Sequence, residues 1–105
     1  MCGILGSPLH WWNVGRREER LFRLNDEIAA LRRDEHNAYE ELIMLGHLND
    51  DAQRDAAGGS YLEAADARET AGDVARMERH VAELQSARER LERKRDQMLT
   101  KLGSR

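Results

Sequence analysis

From Leu21 onward, apolar residues return at alternating steps of three and four. Leu21, Ile28, Glu35, Leu42, Asn49 and Ala56 form one row, and Leu24, Leu31, Ala38, Leu45 and Ala52 form a second. A later stretch repeats the pattern. There Ala67, Val74, Val81, Arg88, Arg95 and Leu102 form one row, and Thr70, Met77, Leu84, Leu91 and Met98 the other. These rows are the a and d positions of a heptad, which a helix presents as one narrow seam. The break between the stretches falls at Ala56-Ala57-Gly58-Gly59-Ser60. Glycines end a helix by taking positive φ, and Ser60 with Glu63 three residues later reads as a capping box. The spacing predicts a helix over 16–57, a turn at 58–60 and a helix over 60–102. Gly72, inside the second helix, costs it about 1 kcal/mol against alanine.

So short a turn makes the helices antiparallel neighbours, and in such a pair a faces d. One register serves the whole hairpin, with facing residue numbers totalling 119. Leu21 then faces Met98, Ile28 faces Leu91, Ala38 faces Val81, Leu42 faces Met77 and Leu45 faces Val74. The midpoint lies between Gly59 and Ser60, where the glycines place the turn independently. Ala52 against Ala67 is a small layer that lets the helices approach closely. Asn49 against Thr70 is a polar layer of the kind that fixes register at some cost in stability.

Three seam residues are charged. Arg88 faces Leu31, Arg95 faces Leu24, and Glu35 faces Leu84. Arginine lays its stem along an open two-helix seam and puts its guanidinium in water. Nearer the turn, Tyr39, Ile43, Met44 and Leu48 lie off the seam of the first helix, and Ala64, Ala71, Ala75 and Ala82 off that of the second. A hairpin alone buries little surface for its length. Tyr39, Ile43, Met44, Leu48, Ala71, Ala75 and Ala82 are therefore expected to form an oligomer interface. The expected fold is all-α: an antiparallel two-helix coiled-coil hairpin assembling into a four-helix bundle or a larger oligomer.

Composition agrees with long helices, with 35% charged residues, 5% aromatics and a single proline in 105 residues. The single cysteine excludes an intrachain disulfide and gives no sign of an oxidising compartment. The first fifteen residues lack Lys and Arg and make a poor secretory signal, so cytoplasmic residence is expected. Charge is polarised along the rod. Residues 34–73 hold eleven acids and two arginines, a balance of −9, while 16–33 and 76–105 together carry +6. Parallel stacking would set acidic halves together. An arrangement bringing the acidic half of one hairpin beside the basic half of another removes that conflict.

Candidate chemistry is sparse. The opening Met-Cys-Gly-Ile-Leu-Gly is similar to the start of class II glutamine amidotransferases, a resemblance covering six of the 105 residues. It implies that Cys2 becomes an N-terminal nucleophile in a layered α/β domain. That domain is larger than this chain, and no strand-like run here supplies its oxyanion and substrate groups. Cys2 is read as an ordinary thiol, and the chain as non-enzymatic. The residues three before His36, His47 and His80 are Arg33, Met44 and Met77, so the Glu-x-x-His pairs of diiron bundles are missing. His36 and Glu40 share a face, but two ligands make no site. No metal or cofactor is expected. The register sets His80 level with Tyr39, which makes a hydrogen bond between them an alternative role for that histidine. The basic run from Arg88 to Lys101 is interleaved with Glu89, Glu92 and Asp96 at ion-pair spacings, which reads as a solvated flank, and nucleic acid is not an expected partner.

The N-terminal segment 1–15 is an uncharged, Trp-containing arm without helical periodicity, set apart from the hairpin of 16–105. It could fold back over Phe22 and Leu99, or dock another protein through Leu9, Trp11 and Trp12, or lie on a membrane surface. These features together imply a coiled-coil interaction or scaffold module that binds itself and another protein. The alternative is a peripheral membrane-binding helical protein using the Trp arm and the basic end.

Overall fold

The structure, a computed structural model, describes residues 8–59 and 61–103, with side chains described from Gly15 onward. It is a rod of 87 × 17 × 14 Å made of two helices, α1 (Pro8–Ala56) and α2 (Tyr61–Gly103), packed along one another.

The turn forms where the glycines put it. Ala57 N–H still donates to Gln53 O at 3.2 Å, while Gly58 and Gly59 donate three residues back, to Asp55 O at 3.0 Å and Ala56 O at 3.1 Å. This tightening closes the last turn of α1 and uses carbonyls that the helix leaves free. Gly59 has φ +93°, a conformation costly for any residue with a Cβ. A Cβ on Gly58 would stand 3.1 Å from Asp55 O. The capping role expected of Ser60 lies outside the described residues. Glu63 sits in the first turn of α2, where a negative charge suits the helix dipole.

The heptad seam is the core. Every a and d residue from Leu21 to Ala56 and from Ala67 to Leu102 is buried or half-buried. Leu24, Ile28, Ala38 and Ala67 are the most enclosed, Ile28 at 2% exposure. Contacts across the seam keep the expected register to within one helical turn. Ala38 lies with Met77 and Leu84, Leu24 lies with Leu91 and Met98, and Gln53 reaches Ala67. The polar layer near the turn is built differently from the expectation. Thr70 Oγ1 donates to its own helix at Asp66 O, 2.8 Å, and Gln53 ties the helices instead. Its amide donates to Asn49 Oδ1 at 3.2 Å and to the backbone oxygen of the buried Ala67 at 3.1 Å.

The helix expected from residue 16 begins at Pro8, so 8–15 are helical rather than an irregular arm, and Asn13-Val14-Gly15 is not a joint. Apolar periodicity reports which face a helix buries, not whether a helix continues. Adding residues to an existing helix is cheap compared with starting one. Proline at the first helical position has its φ preset and lacks an N–H that would go unused there. At about 1.5 Å per residue, these eight residues carry α1 roughly 12 Å past the level of the α2 terminus. Cys2 lies outside the described residues.

Candidate functional site

The charged seam residues meet each other at mid-rod. Glu35 and Arg88 lie in adjacent layers, and their side chains close diagonally across the seam. Arg88 Nε donates to Glu35 Oε2 at 2.5 Å and Nη2 to Oε1 at 3.2 Å, a two-pronged pair. Arg88 Nη1 also donates to Glu92 Oε1 at 2.6 Å, and Glu92 Oε2 accepts from Arg32 Nη2 at 2.6 Å. The result is a neutral four-residue network that crosses the seam twice. The hydrogen bond from Arg32, then the one from Arg88, holds the Glu92 carboxyl below its ordinary value of 4.5. The hydrogen bond to Glu35 raises Arg88 further above its own already high value. Arg88 therefore does not send its guanidinium into water, as its position alone predicts. A partner one layer away satisfies it in the half-buried seam. Arg95 keeps closer to the expectation, half-buried in the seam with its guanidinium 3.3 Å from Asp96 Oδ1.

Either side of the seam runs a shallow groove. One is lined at mid-rod by Arg32, Glu35, His36, Tyr39, Val81, Gln85 and Arg88. The other is lined there by Asp34, Asn37, Glu41, Met77, His80 and Leu84. Tyr39 and His80 are thus on opposite flanks, and the hydrogen bond that was the alternative role for His80 does not form. Height along a coiled coil does not choose a side. In an antiparallel pair e faces e and g faces g, and Tyr39 is an e residue while His80 is a g residue.

The same rule sorts the expected oligomer interface. Tyr39 and Ile43 stand one turn apart on the e and b side. Ala71, Ala75 and Ala82 are exposed at e and b positions of α2 on that flank. Met44 and Leu48 are at c and g. At about 100° per residue, Leu48 points roughly 180° from Tyr39 around the α1 axis. The large side chains are well exposed, with Tyr39 and Leu48 each at 54% and Met44 at 65%. The seven residues therefore make two surfaces on opposite flanks. Leu9, Trp11 and Trp12 lie in the first two turns of α1, and their side chains are outside the described set.

The open end of the rod carries a basic trough of about 790 Å³ on the c and g flank. Arg17, Arg20, Lys94 and Lys101 form its rim, and Met98 and Leu102 its floor. Its inner continuation adds Arg23 and one acid, Glu27, over Leu24 and Leu91. Arg23 also pairs with Glu19 at 3.7 Å on the exposed face. Heptad spacing gathers these cations, since Arg20 repeats the row that ends in Leu48 and Asp55, and Lys94 and Lys101 repeat the row that starts at Asp66. At the turn end, that flank bears Asp51, Asp55, Asp66 and Glu69, all exposed, around the exposed Leu48 and Leu62.

His36 Nε2 lies 3.1 Å from Glu40 Oε1 on the solvent face. Among the described residues, no group of three or more His, Cys, Asp or Glu side chains could hold a metal ion. No described helix is long and apolar enough to cross a membrane. No family model, curated protein or solved structure matches the chain.

Proposed function

We propose that this chain is a non-enzymatic coiled-coil interaction or scaffold protein whose hairpin oligomerises through its exposed apolar flanks. The observation that carries the reading is Tyr39 and Ile43, half-exposed beside a flank of exposed alanines that lets another helix approach closely. Large apolar side chains grouped on an otherwise highly charged rod mark a contact surface. The N-terminal end of α1, with Leu9, Trp11 and Trp12, extends past α2 and serves as a docking element for another protein. Replacement of Tyr39→Glu together with Ile43→Glu tests the reading by light scattering and circular dichroism. Helicity should persist, because neither residue is in the hairpin's own seam, while the oligomer mass falls. An unchanged mass removes this flank from the interface.

A second reading draws on the basic trough: peripheral attachment to an anionic membrane surface through the open end, with the Trp-bearing segment beside it. Co-sedimentation with phosphatidylserine vesicles at low and high salt separates it from the first. Salt-sensitive binding of the wild-type chain favours attachment, and no binding at low salt sinks it.

A further inference from the structure

We propose that the basic trough at the open end receives the acidic turn end of a second copy of this chain, so that two hairpins pair antiparallel through their c and g flanks. The inference rests on the oligomer reading above and names the partner, the surface and the orientation. The trough has an apolar floor, Met98 and Leu102, under a cationic rim. Its complement is on the same flank of the same chain, where exposed Leu48 and Leu62 stand among Asp51, Asp55 and Asp66. An apolar centre within opposite charge is the composition that such a trough accepts.

The spacing fits one two-fold axis. Arg20 and Leu48 are four heptads apart in one g row, and Lys94 and Asp66 are four heptads apart in the other. Their midpoints, Asp34 and His80, line the same groove at mid-rod. Rotating a copy about that point lays each turn end over the other copy's open end. The contact is isologous, so both ends are satisfied at once. Met44 and Leu48 are then covered here, while Tyr39 and Ile43 stay free for the contact on the opposite flank.

A bilayer fits the trough less well. Among the described residues, the large exposed apolar side chains at the open end are Phe22 and Leu99, at b and e positions that face the other flank. A membrane-surface helix needs its apolar residues and flanking cations to reach one plane.

The chain's only lysines, Lys94 and Lys101, both line the trough. This makes zero-length carbodiimide coupling a direct test. Within one hairpin, Lys94 stands about 40 Å from Asp51 and Asp66 at roughly 1.5 Å per residue, so these groups cannot couple inside a chain. Peptides joining Lys94 or Lys101 to Asp51, Asp55, Asp66 or Glu69 are expected. Charge exchange adds a second readout. Arg20→Glu with Lys94→Glu, or Asp51→Lys with Asp66→Lys, should each lower the mass alone, and equal mixing of the two variants should restore it. A wild-type oligomer that couples only to nearby carboxylates such as Glu27, and whose mass ignores both charge sets, overturns this pairing and leaves the oligomer reading standing. A monomeric wild type overturns both. Vesicle binding lost in Arg20→Glu with Lys94→Glu, without the long-range couplings, assigns the trough to lipid instead.

Discussion

Ile28 and Ile43 allow one chemical change to be read in two environments. Ile28 is 2% exposed in the seam, whereas Ile43 is 47% exposed on the e and b flank. Truncation to alanine removes three carbons, worth about 2.4 kcal/mol when fully buried at roughly 0.8 kcal/mol each. Alanine returns about 0.4 kcal/mol through its better helix propensity. Ile28→Ala should therefore cost about 2 kcal/mol, with little added for a cavity because a two-helix seam can close up. In an isolated hairpin, half the transfer is lost at Ile43, and Ile43→Ala should cost roughly 1 kcal/mol. If association covers Ile43, its cost rises toward that of Ile28 as the protein is concentrated. Denaturant melts of both variants and the wild type, followed by circular dichroism at low and high protein concentration, measure this. The Ile28→Ala cost exceeds that of Ile43→Ala at low concentration, and the difference narrows at high concentration. A cost at Ile43 that does not change with concentration refutes its burial in an interface. A smaller cost at Ile28 than at Ile43 refutes the seam.

Gly59→Ala should destabilise the hairpin by about 1 kcal/mol in thermal melts, since a Cβ is strained at its positive φ, and no loss would mean that the turn readily rearranges. Arg88→Leu should lower the melting temperature by stranding Glu35, while Glu35→Leu with Arg88→Leu should recover or exceed the wild-type value, as apolar replacement of paired charges often does. The depressed Glu92 carboxyl contributes stability that is complete above its ordinary value of 4.5 and is lost as the pH falls through its lower folded value. Melts of the wild type between neutral and acid pH should accordingly show a loss in that window that Glu92→Gln lacks. In a Cys2→Ser background, Ala38→Cys with Val81→Cys should form an intramolecular disulfide under mild oxidation. Crosslinks only between chains would indicate an extended, swapped helix.

Much of the fold was legible because a coiled coil writes its contacts into a fixed period. Leu24, Ile28, Ala38 and Ala67 are the most enclosed positions, and all four belong to the a and d rows. The antiparallel direction followed from the closeness of Gly58-Gly59 to both helices. What was harder to read concerned sidedness and neighbouring layers. Facing numbers give height alone, so Tyr39 and His80 looked adjacent although they lie on opposite flanks, and Tyr39 and Leu48 looked like one surface. Heptad letters carry the missing signal, since e and g separate the flanks. The Glu35–Arg88 pair was also encoded, as two opposite charges in adjacent seam layers. Reading each layer alone set both against leucines. The start of α1 at Pro8 was hidden because residues 8–15 carry no heptad period.

The exposed flanks imply that the hairpin is not complete alone. Sedimentation equilibrium of the wild-type chain from about 1 to about 100 μM, a span that brackets the dissociation constants of modest interfaces, tests it most directly. The molar mass should climb with concentration to at least twice the chain's 12.1 kDa. A mass that stays at that of one chain across the whole range contradicts it.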